Sequence, residues 1–507
     1  MDAKVNELSN NKIFKWTLVS LLVIIFVVII TLVALYIVAC NVGYLYAVLI
    51  DAGSTSSKIS VFKWRDWPFQ HNGRVEEVYM KKVAPGISSY KDHPEEAFNT
   101  LKPTLLDLLQ EYVPQESKKS TRLFLAATAG MRLVELDNPL KADAIMENLR
   151  SQLPHVGAKV NNPYSDIRIM SGRDEGINAW ITVNYLEKKF GVHGVAPSSG
   201  QEMIGALDLG GASAQITFVP KNPSLAPHTS TRYLFGSEYY VYSYSHLCYG
   251  KSASQKRVWA EIIGNQSTAT INNPCFLQNY ELKVKKSEIF TEPCVKSKYA
   301  VELIGSELIP NTALPEEITL VGTGDPDQCR QFVQKMFPSK ACAQSPCMFQ
   351  GVYRPPLHGK FSAFSGYAFV IDHLNFPTKG QNLTRDAVKA KVDEFCRRDW
   401  TQVAQEYPAS SLEFIAGYCQ DGVYIDALLS NYGFVDSESW KNIVFASKIA
   451  GTTVSWAPGY LIDATGMIDS ESPKIDLGLT AFVTSVVILS IVFVALLVIL
   501  VFLHLRN

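Results

Sequence analysis

Neither sign of charge dominates this sequence. Its 507 residues carry 47 Lys and Arg against 48 Asp and Glu, a formal net charge of −1. Nucleic acid is therefore not an expected partner, since binding it calls for a basic surface. No G-x-x-x-x-G-K-S/T loop and no G-x-S-x-G elbow occurs, which weakens P-loop and serine-hydrolase readings. There is no Cys-x-x-Cys pair, and the histidines form no H-x-x-x-H or similar pattern, so zinc has little to rest on. Low-complexity tracts and short-period repeats are absent. Cysteine is missing from residues 41 to 247, and charge is missing from Thr17 to Ala39 and from Leu477 to Leu503.

Each uncharged run exceeds the ~20 apolar residues that cross a bilayer. The first is too long for the ~7–15-residue core of a signal peptide. Ile37-Val38-Ala39-Cys40 has some likeness to a bacterial lipoprotein cleavage site, but the second run argues against that. Lys4, Lys12 and Lys15 flank the first run and Arg506 follows the second, so the positive-inside rule places both tails in the cytoplasm. The chain divides into tails at 1–16 and 504–507, transmembrane helices at 17–40 and 477–503, and an ectodomain at about 41–476, outside the cell or in a lumen. Cys40 sits at the membrane edge. The other eight cysteines, at 248, 275, 294, 329, 342, 347, 396 and 419, read as four disulfides whose pairing spacing does not fix. Asn265 and Asn382 begin glycosylation sequons, which suit the same compartment.

Two stretches organise the ectodomain: Ala47-Val48-Leu49-Ile50-Asp51-Ala52-Gly53-Ser54-Thr55-Ser56-Ser57 and Gly205-Ala206-Leu207-Asp208-Leu209-Gly210-Gly211-Ala212-Ser213. Each is an apolar strand ending in Asp, small residues, Gly and hydroxyls, then a second strand (Ile59–Phe62; Gln215–Phe218). That pattern predicts a β-hairpin with a glycine turn. Glycine permits close backbone approach, and N–H groups with Ser/Thr hydroxyls can cradle a phosphate. The Asp at each strand end can hold a hydrated metal through oxygen. Two copies suggest a duplicated fold with one loop from each half facing a shared cleft.

Between and after them, strand and helix patterns alternate, which argues for α/β layers. Helices are expected at Pro94–Tyr112, Ala142–Leu153, after the Ser171–Gly176 stretch to about Phe190, and at Asp386–Trp400. Strands are expected at Arg122–Ala127, Ile167–Met170 and Ile318–Val321. Tyr233 to about Cys347 reads as aromatic, irregular and cysteine-rich, and Thr378–Gln381 as a surface loop. Glu175 is the best candidate for a general base, although Ser171-x-x-Asp174 is also a capping-box pattern and acids favour a helix's first turn. Thr128 either closes a turn or bonds a phosphate or metal-bound water. Trp456 and Tyr418 are core aromatics or base-stacking ones. The histidines receive no role.

Asp51–Ser56, Ala127-Thr128-Ala129-Gly130-Met131-Arg132, Ser171-Gly172-Arg173-Asp174-Glu175-Gly176, Ala206–Gln215 and Phe361-Ser362-Ala363-Phe364-Ser365-Gly366 resemble, in order, the five apyrase conserved regions of the ecto-nucleoside triphosphate diphosphohydrolases. The two-span layout resembles that family's cell-surface members. The resemblance implies two actin-like (ribonuclease-H-like) α/β lobes, at 41–171 and 172–446, with 447–476 returning to the first. It implies removal of the terminal phosphate of nucleoside tri- and diphosphates with Ca2+ or Mg2+, by in-line attack of water. Glu175 matches the general base, and Ser213 and Gln215 match residues holding the water. Asp51 and Asp208 match carboxylates that orient the metal's waters, with Thr128 and Trp456 in the same shell. Ser54, Thr55, Ser56, Thr128, Ala129, Gly210, Gly211 and Ala212 match phosphate-binding positions. Tyr418 and Tyr367 match aromatics that hold the base. The family pairing implies Cys248–Cys294, Cys275–Cys329, Cys342–Cys347 and Cys396–Cys419.

Three departures stand out. Arg173-Asp174-Glu175 replaces the usual Gln-Glu-Glu, bringing a positive charge near the base. The first cysteine pair of many surface members is missing, so the loop around Tyr90 is not stapled. At Tyr367-Ala368-Phe369 the second stacking aromatic is shifted, or replaced by Ala368. The reading is a plasma-membrane ectonucleotidase with both termini cytoplasmic. Its rivals are a lumenal Golgi enzyme of the same chemistry, a nucleotide-binding membrane glycoprotein without turnover, and a kinase-like transferase. A homo-oligomer is left open.

Overall fold

A computed structural model describes residues 12–40, 43–65, 73–190, 202–222, 227–297, 299–300, 302, 308–376, 380–466 and 479–505. Residues 1–11 and 506–507 of the expected tails, 378–379 of the expected loop, and 467–476 of the return segment lie outside them. Residues 477–478 of the second span do too.

The first lobe is built on β1 (Tyr44–Ala52), β2 (Ser57–Arg65), β3 (Glu76–Val83), β4 (Arg122–Ala127) and β5 (Ile167–Ile169), in the order β3-β2-β1-β4-β5. β1 and β2 form an antiparallel hairpin, while β4 runs parallel to β1. The continuous apolar runs of β1 and β4 suit strands covered on both faces. On one face Val48, Ile50, Leu123 and Leu125 pack with the helices Glu95–Tyr112 and Pro139–Gln152. On the other, Ala47, Leu49, Phe62 and Phe124 join a core shared with the second lobe.

The second lobe repeats the plan. Its strands are β6 (Gly205–Leu209), β7 (Ser213–Phe218), β8 (Thr229–Leu234) and β9 (Ser237–Leu247). A small sheet follows, of β10 (Thr270–Asn273), β11 (Glu281–Lys285) and β12 (Glu317–Gly322). β13 (Phe361–Ser365) and β14 (Ile443–Phe445) complete the main sheet. Its order is β14-β13-β6-β7-β9-β8. Again the central strand, β6, is antiparallel to its hairpin partner β7 and parallel to β13. The two sheets therefore superpose in connectivity, with β8 as an addition.

The helices Gly172–Leu186 and Ala457–Thr465 pack against one another between the sheets. Gly459 lies so close to the Asn178 carbonyl that a β-carbon has no room, and its N–H donates to Thr182 Oγ1 (2.8 Å). Tyr460 sets its ring edge-on to Phe124, and Thr465 Oγ1 accepts from Gly73 N (2.6 Å).

The eight ectodomain cysteines pair as Cys248–Cys294, Cys275–Cys329, Cys342–Cys347 and Cys396–Cys419, all in the second lobe. The unstapled loop at Tyr90 is held by Tyr90 Oη and Thr100 Oγ1, 2.8 Å apart. The helices Lys12–Cys40 and Leu479–Leu505 are long and apolar enough to cross a membrane. They pack antiparallel, with Phe26 stacked on Phe493 and Tyr36 on Phe482.

Some expectations are corrected. The helix expected at Asp386–Trp400 stops at Cys396, and a second one starts at Trp400, because Asp399 caps it by accepting from Thr401 N (2.8 Å). The helix from Gly172 ends at Leu186, short of Phe190, where Lys188 adopts a positive φ of 56°. Tyr233–Cys347 is not irregular throughout. It holds most of the β8–β9 hairpin and the helix Lys251–Ile263.

Candidate active site

The two hairpin turns are closed by the same backbone bond. Gly53 N donates to Ser56 O (3.1 Å), and Gly210 N to Ser213 O (3.0 Å). The turns also meet: the Ser54 hydroxyl stands so close to Gly211 that a β-carbon there would clash with it. In the second turn the Gly210 and Gly211 carbonyls accept from Lys251 N (2.8 Å) and Ala253 N (3.0 Å). A trans peptide points its N–H opposite to its C=O, so the N–H groups of Gly211 and Ala212 turn away from that helix, toward the first lobe. In the first turn the Thr55 carbonyl is taken by Gly86 N (3.0 Å), which aims the Ser56 N–H the other way. Thr55 itself is exposed and Ser56 buried. Thr128 and Ala129 are buried at the start of the helix Ala129–Asp137, with Thr128 N donating to Ala52 O (3.1 Å).

Asp51 and Asp208 are buried at the ends of β1 and β6. Burial raises both. Lys58, 3.8 Å from Asp51, opposes the rise in each. Asp208 reaches about 6, with Ser365 holding it down and the charge of Asp51 pushing it up.

Glu175 lies in the first turn of Gly172–Leu186, which Ser171 caps by accepting from Asp174 N (3.1 Å). Its carboxylate accepts from Arg132 Nη2 (2.5 Å) and Gln215 Nε2 (3.2 Å). Arg132 and Gln215 also donate to Ser213 Oγ (3.2 and 2.7 Å), and Gln215 to Ser245 Oγ (3.0 Å). Burial, helped by the charges of Asp208 and Asp51, lifts Glu175 to about 7 despite Arg132. That is the range in which a carboxylate serves as a base at neutral pH. Arg173 is exposed and is not among the main charges acting on Glu175.

One expected residue sits differently. Tyr367 is fully buried in the second-lobe core, so its ring has no free face on which a base could stack; Ala368 is buried too. Phe369, two residues on, is 53% exposed. It shares a helix face with His373, whose ring meets the half-buried Tyr418 edge-on at 4.9 Å. Trp456 lies in the inter-lobe core, edge-on to Tyr460. Asn265 and Asn382 are exposed.

Sequence reasoning missed three partners. Arg132 was in a quoted motif, but nothing in the spacing shows that it reaches Glu175. Ser245 comes from β9. Lys58 carried a signal: it stands as far beyond the turn as Asp51 stands before it.

A family model for the GDA1/CD39 (nucleoside phosphatase) family matches residues 38–477. The chain belongs to this family. This GDA1/CD39 chain is 34% identical over 437 residues to "Ectonucleoside triphosphate diphosphohydrolase 1" of Mus musculus, covering 84% of this chain and 82% of the relative. It is 33% identical to "Ectonucleoside triphosphate diphosphohydrolase 8" of Homo sapiens, covering 84% of each. It is 33% identical over 501 residues to the Mus musculus "Ectonucleoside triphosphate diphosphohydrolase 3", covering 94% and 90%. A crystal structure of nucleoside triphosphate hydrolases from Neospora caninum shares the fold, with a TM-score of 0.61 at 14% identity, over 87% of this chain and 95% of that one.

The donor set fits a divalent cation. Asp208 Oδ1 and Gln215 Oε1 are buried without a hydrogen-bond partner, which points to a polar occupant between them. Among the described residues, no three His, Cys, Asp or Glu side chains converge to encage an ion. Asp51 and Asp208 therefore fit contact through a hydration shell.

Proposed function

We propose that this GDA1/CD39 chain is a membrane-bound ectonucleotidase that hydrolyses the terminal phosphate of nucleoside tri- and diphosphates. One observation carries the reading. A buried carboxylate titrating at about 7, Glu175, shares hydrogen-bond partners with Ser213 beside the meeting point of two glycine-hydroxyl turns. Ser54, Thr55, Ser56, Thr128, Ala129, Gly210, Gly211 and Ala212 hold the phosphates, chiefly through N–H groups and hydroxyls. Ser213 and Gln215 orient a water, and Glu175 takes its proton as oxygen attacks phosphorus and the bridging P–O bond breaks. Asp51 and Asp208, with Thr128 and Trp456 near the same shell, would hold hydrated Ca2+ or Mg2+, which neutralises phosphate charge. Tyr418 and Phe369, rather than Tyr367, offer the faces for the base. We place lobe boundaries at 41–171 and 172–446 with 447–476 as the return, both termini in the cytoplasm, and the enzyme at the plasma membrane.

The test is phosphate release from ATP and ADP by intact cells, with calcium, magnesium or a chelator, beside Glu175→Gln. Cation-dependent release that the substitution abolishes supports the reading. Release only after permeabilisation moves the enzyme to an internal membrane such as the Golgi. No release in either case overturns it and leaves a binding protein.

A further inference from the structure

Beside the Glu175 cluster lies a second cavity, of about 390 Å³. It is not the cleft, since no residue of either hairpin turn lines it. Its wall is the back of the catalytic cluster. Arg132 lines it and touches both Glu175 and Ser213. Ser245 lines it and accepts from Gln215, which itself reaches Glu175.

The lining suits an anion. Arg132 and Arg173 are permanent cations. His228 is held neutral by burial and by Arg173, which leaves it a neutral donor. Ser245 Oγ accepts from Gln215 and keeps its own proton for a ligand. Gly172 and Arg173 open a fifteen-residue helix whose third N–H is already capped by Ser171, so their own N–H groups remain for a partner. No carboxylate lines the cavity. The nearest in sequence, Asp174, is turned to Arg232 (2.9 Å) and Ser171. Ser243 Oγ donates to the Arg173 carbonyl (3.0 Å), fixing that residue's backbone at the rim.

We propose that this cavity is an orthophosphate site. It takes the inorganic phosphate product on its way from the Glu175 cluster to solvent and, when phosphate accumulates, holds the enzyme in a product-bound form. The proposal rests on the nucleotidase reading. No bond changes in this step; the anion moves from one set of donors to the next. Because the cavity is separate from the turns, phosphate and nucleotide bind together.

Two measurements on the full-length protein test it. The first is inhibition of ATP hydrolysis by added orthophosphate. Inhibition should persist at saturating ATP. Arg173→Gln should raise the inhibitory concentration about tenfold, the loss of one charge-assisted contact, and Arg173→Glu further still, with kcat and KM unchanged in the absence of phosphate. Inhibition that saturating ATP removes, equal in all three proteins, would overturn the proposal. The second needs no turnover: equilibrium binding of radiolabelled orthophosphate to the intact protein. Binding weakened about tenfold in Arg173→Gln supports the site even if no nucleotide is hydrolysed. Binding indifferent to residue 173 overturns it while leaving the nucleotidase reading untouched.

Discussion

The two hairpins share strand directions and turn closure, yet differ at the position facing the aspartate. In the first lobe Asp51 stands opposite Lys58; in the second Asp208 stands opposite Gln215. The lysine supplies charge near two carboxylates. The glutamine supplies neutral donors to Glu175, Ser213 and Ser245. A duplicated scaffold has thus been divided, one copy setting charge beside the aspartates and the other supplying neutral donors to Glu175 and Ser213. The lobes differ in covalent restraint too, since all four disulfides lie in the second.

Removing the base is expected to have the largest effect on this division. Glu175→Gln should lower kcat by about 10³-fold, read as phosphate release under saturating ATP. Making the second hairpin like the first, Gln215→Lys, should cost about 10²-fold and shift the acid limb downward, because an ammonium there favours the ionised carboxylate. An unchanged limb would show that Gln215 does not govern the base.

The wild-type limb should itself lie at or below pH 7. Glu175 must be ionised to act, so the rate rises with pH through that region, and a bound cation moves the limb lower. Linkage has the opposite sign. Glu175 and Asp208 hold protons more tightly when folded, so their contribution to stability is full below the ordinary carboxylate range, near pH 4. It is lost as pH climbs through about 6 and 7. Glu175→Gln should remove its share of that slope in Tm against pH.

Opening one staple, Cys396→Ser with Cys419→Ser, should lower stability by about 2–5 kcal/mol, seen as a drop in Tm. The smallest effect is expected from Lys58→Gln. The lysine side chain is 42% exposed, and exposed pairs contribute about 1 kcal/mol at most, which limits the change in kcat/KM to about fivefold.

Much of this was legible beforehand. Apolar runs that end in Asp and glycine announce both hairpins, and their repetition announces the duplication. Other features were hidden by physics that acts at a distance. Arg132 reaches Glu175 across 43 positions, which no local pattern encodes. Tyr367 and Phe369 are two residues apart on the helix Gly366–His373, so their side chains diverge by about 200°. The spacing does not say which of the two faces inward. The stretch after Tyr233 looked irregular because its tyrosines occupy both buried and exposed positions of β9, blurring the alternation that marks a strand.

The antiparallel pairing of the terminal helices has a further thermodynamic consequence. With Tyr36 against Phe482, the ectodomain is a closed loop from Cys40 to Leu479 even when unfolded, provided the spans stay paired. Such a ring has fewer unfolded arrangements than a free chain. The relation used for disulfide loops puts the difference at about 6 kcal/mol for a loop of this length. The bilayer thus acts on this enzyme as a cross-link without a bond, and an ectodomain freed from its spans gives up that stabilisation with its catalytic residues unchanged.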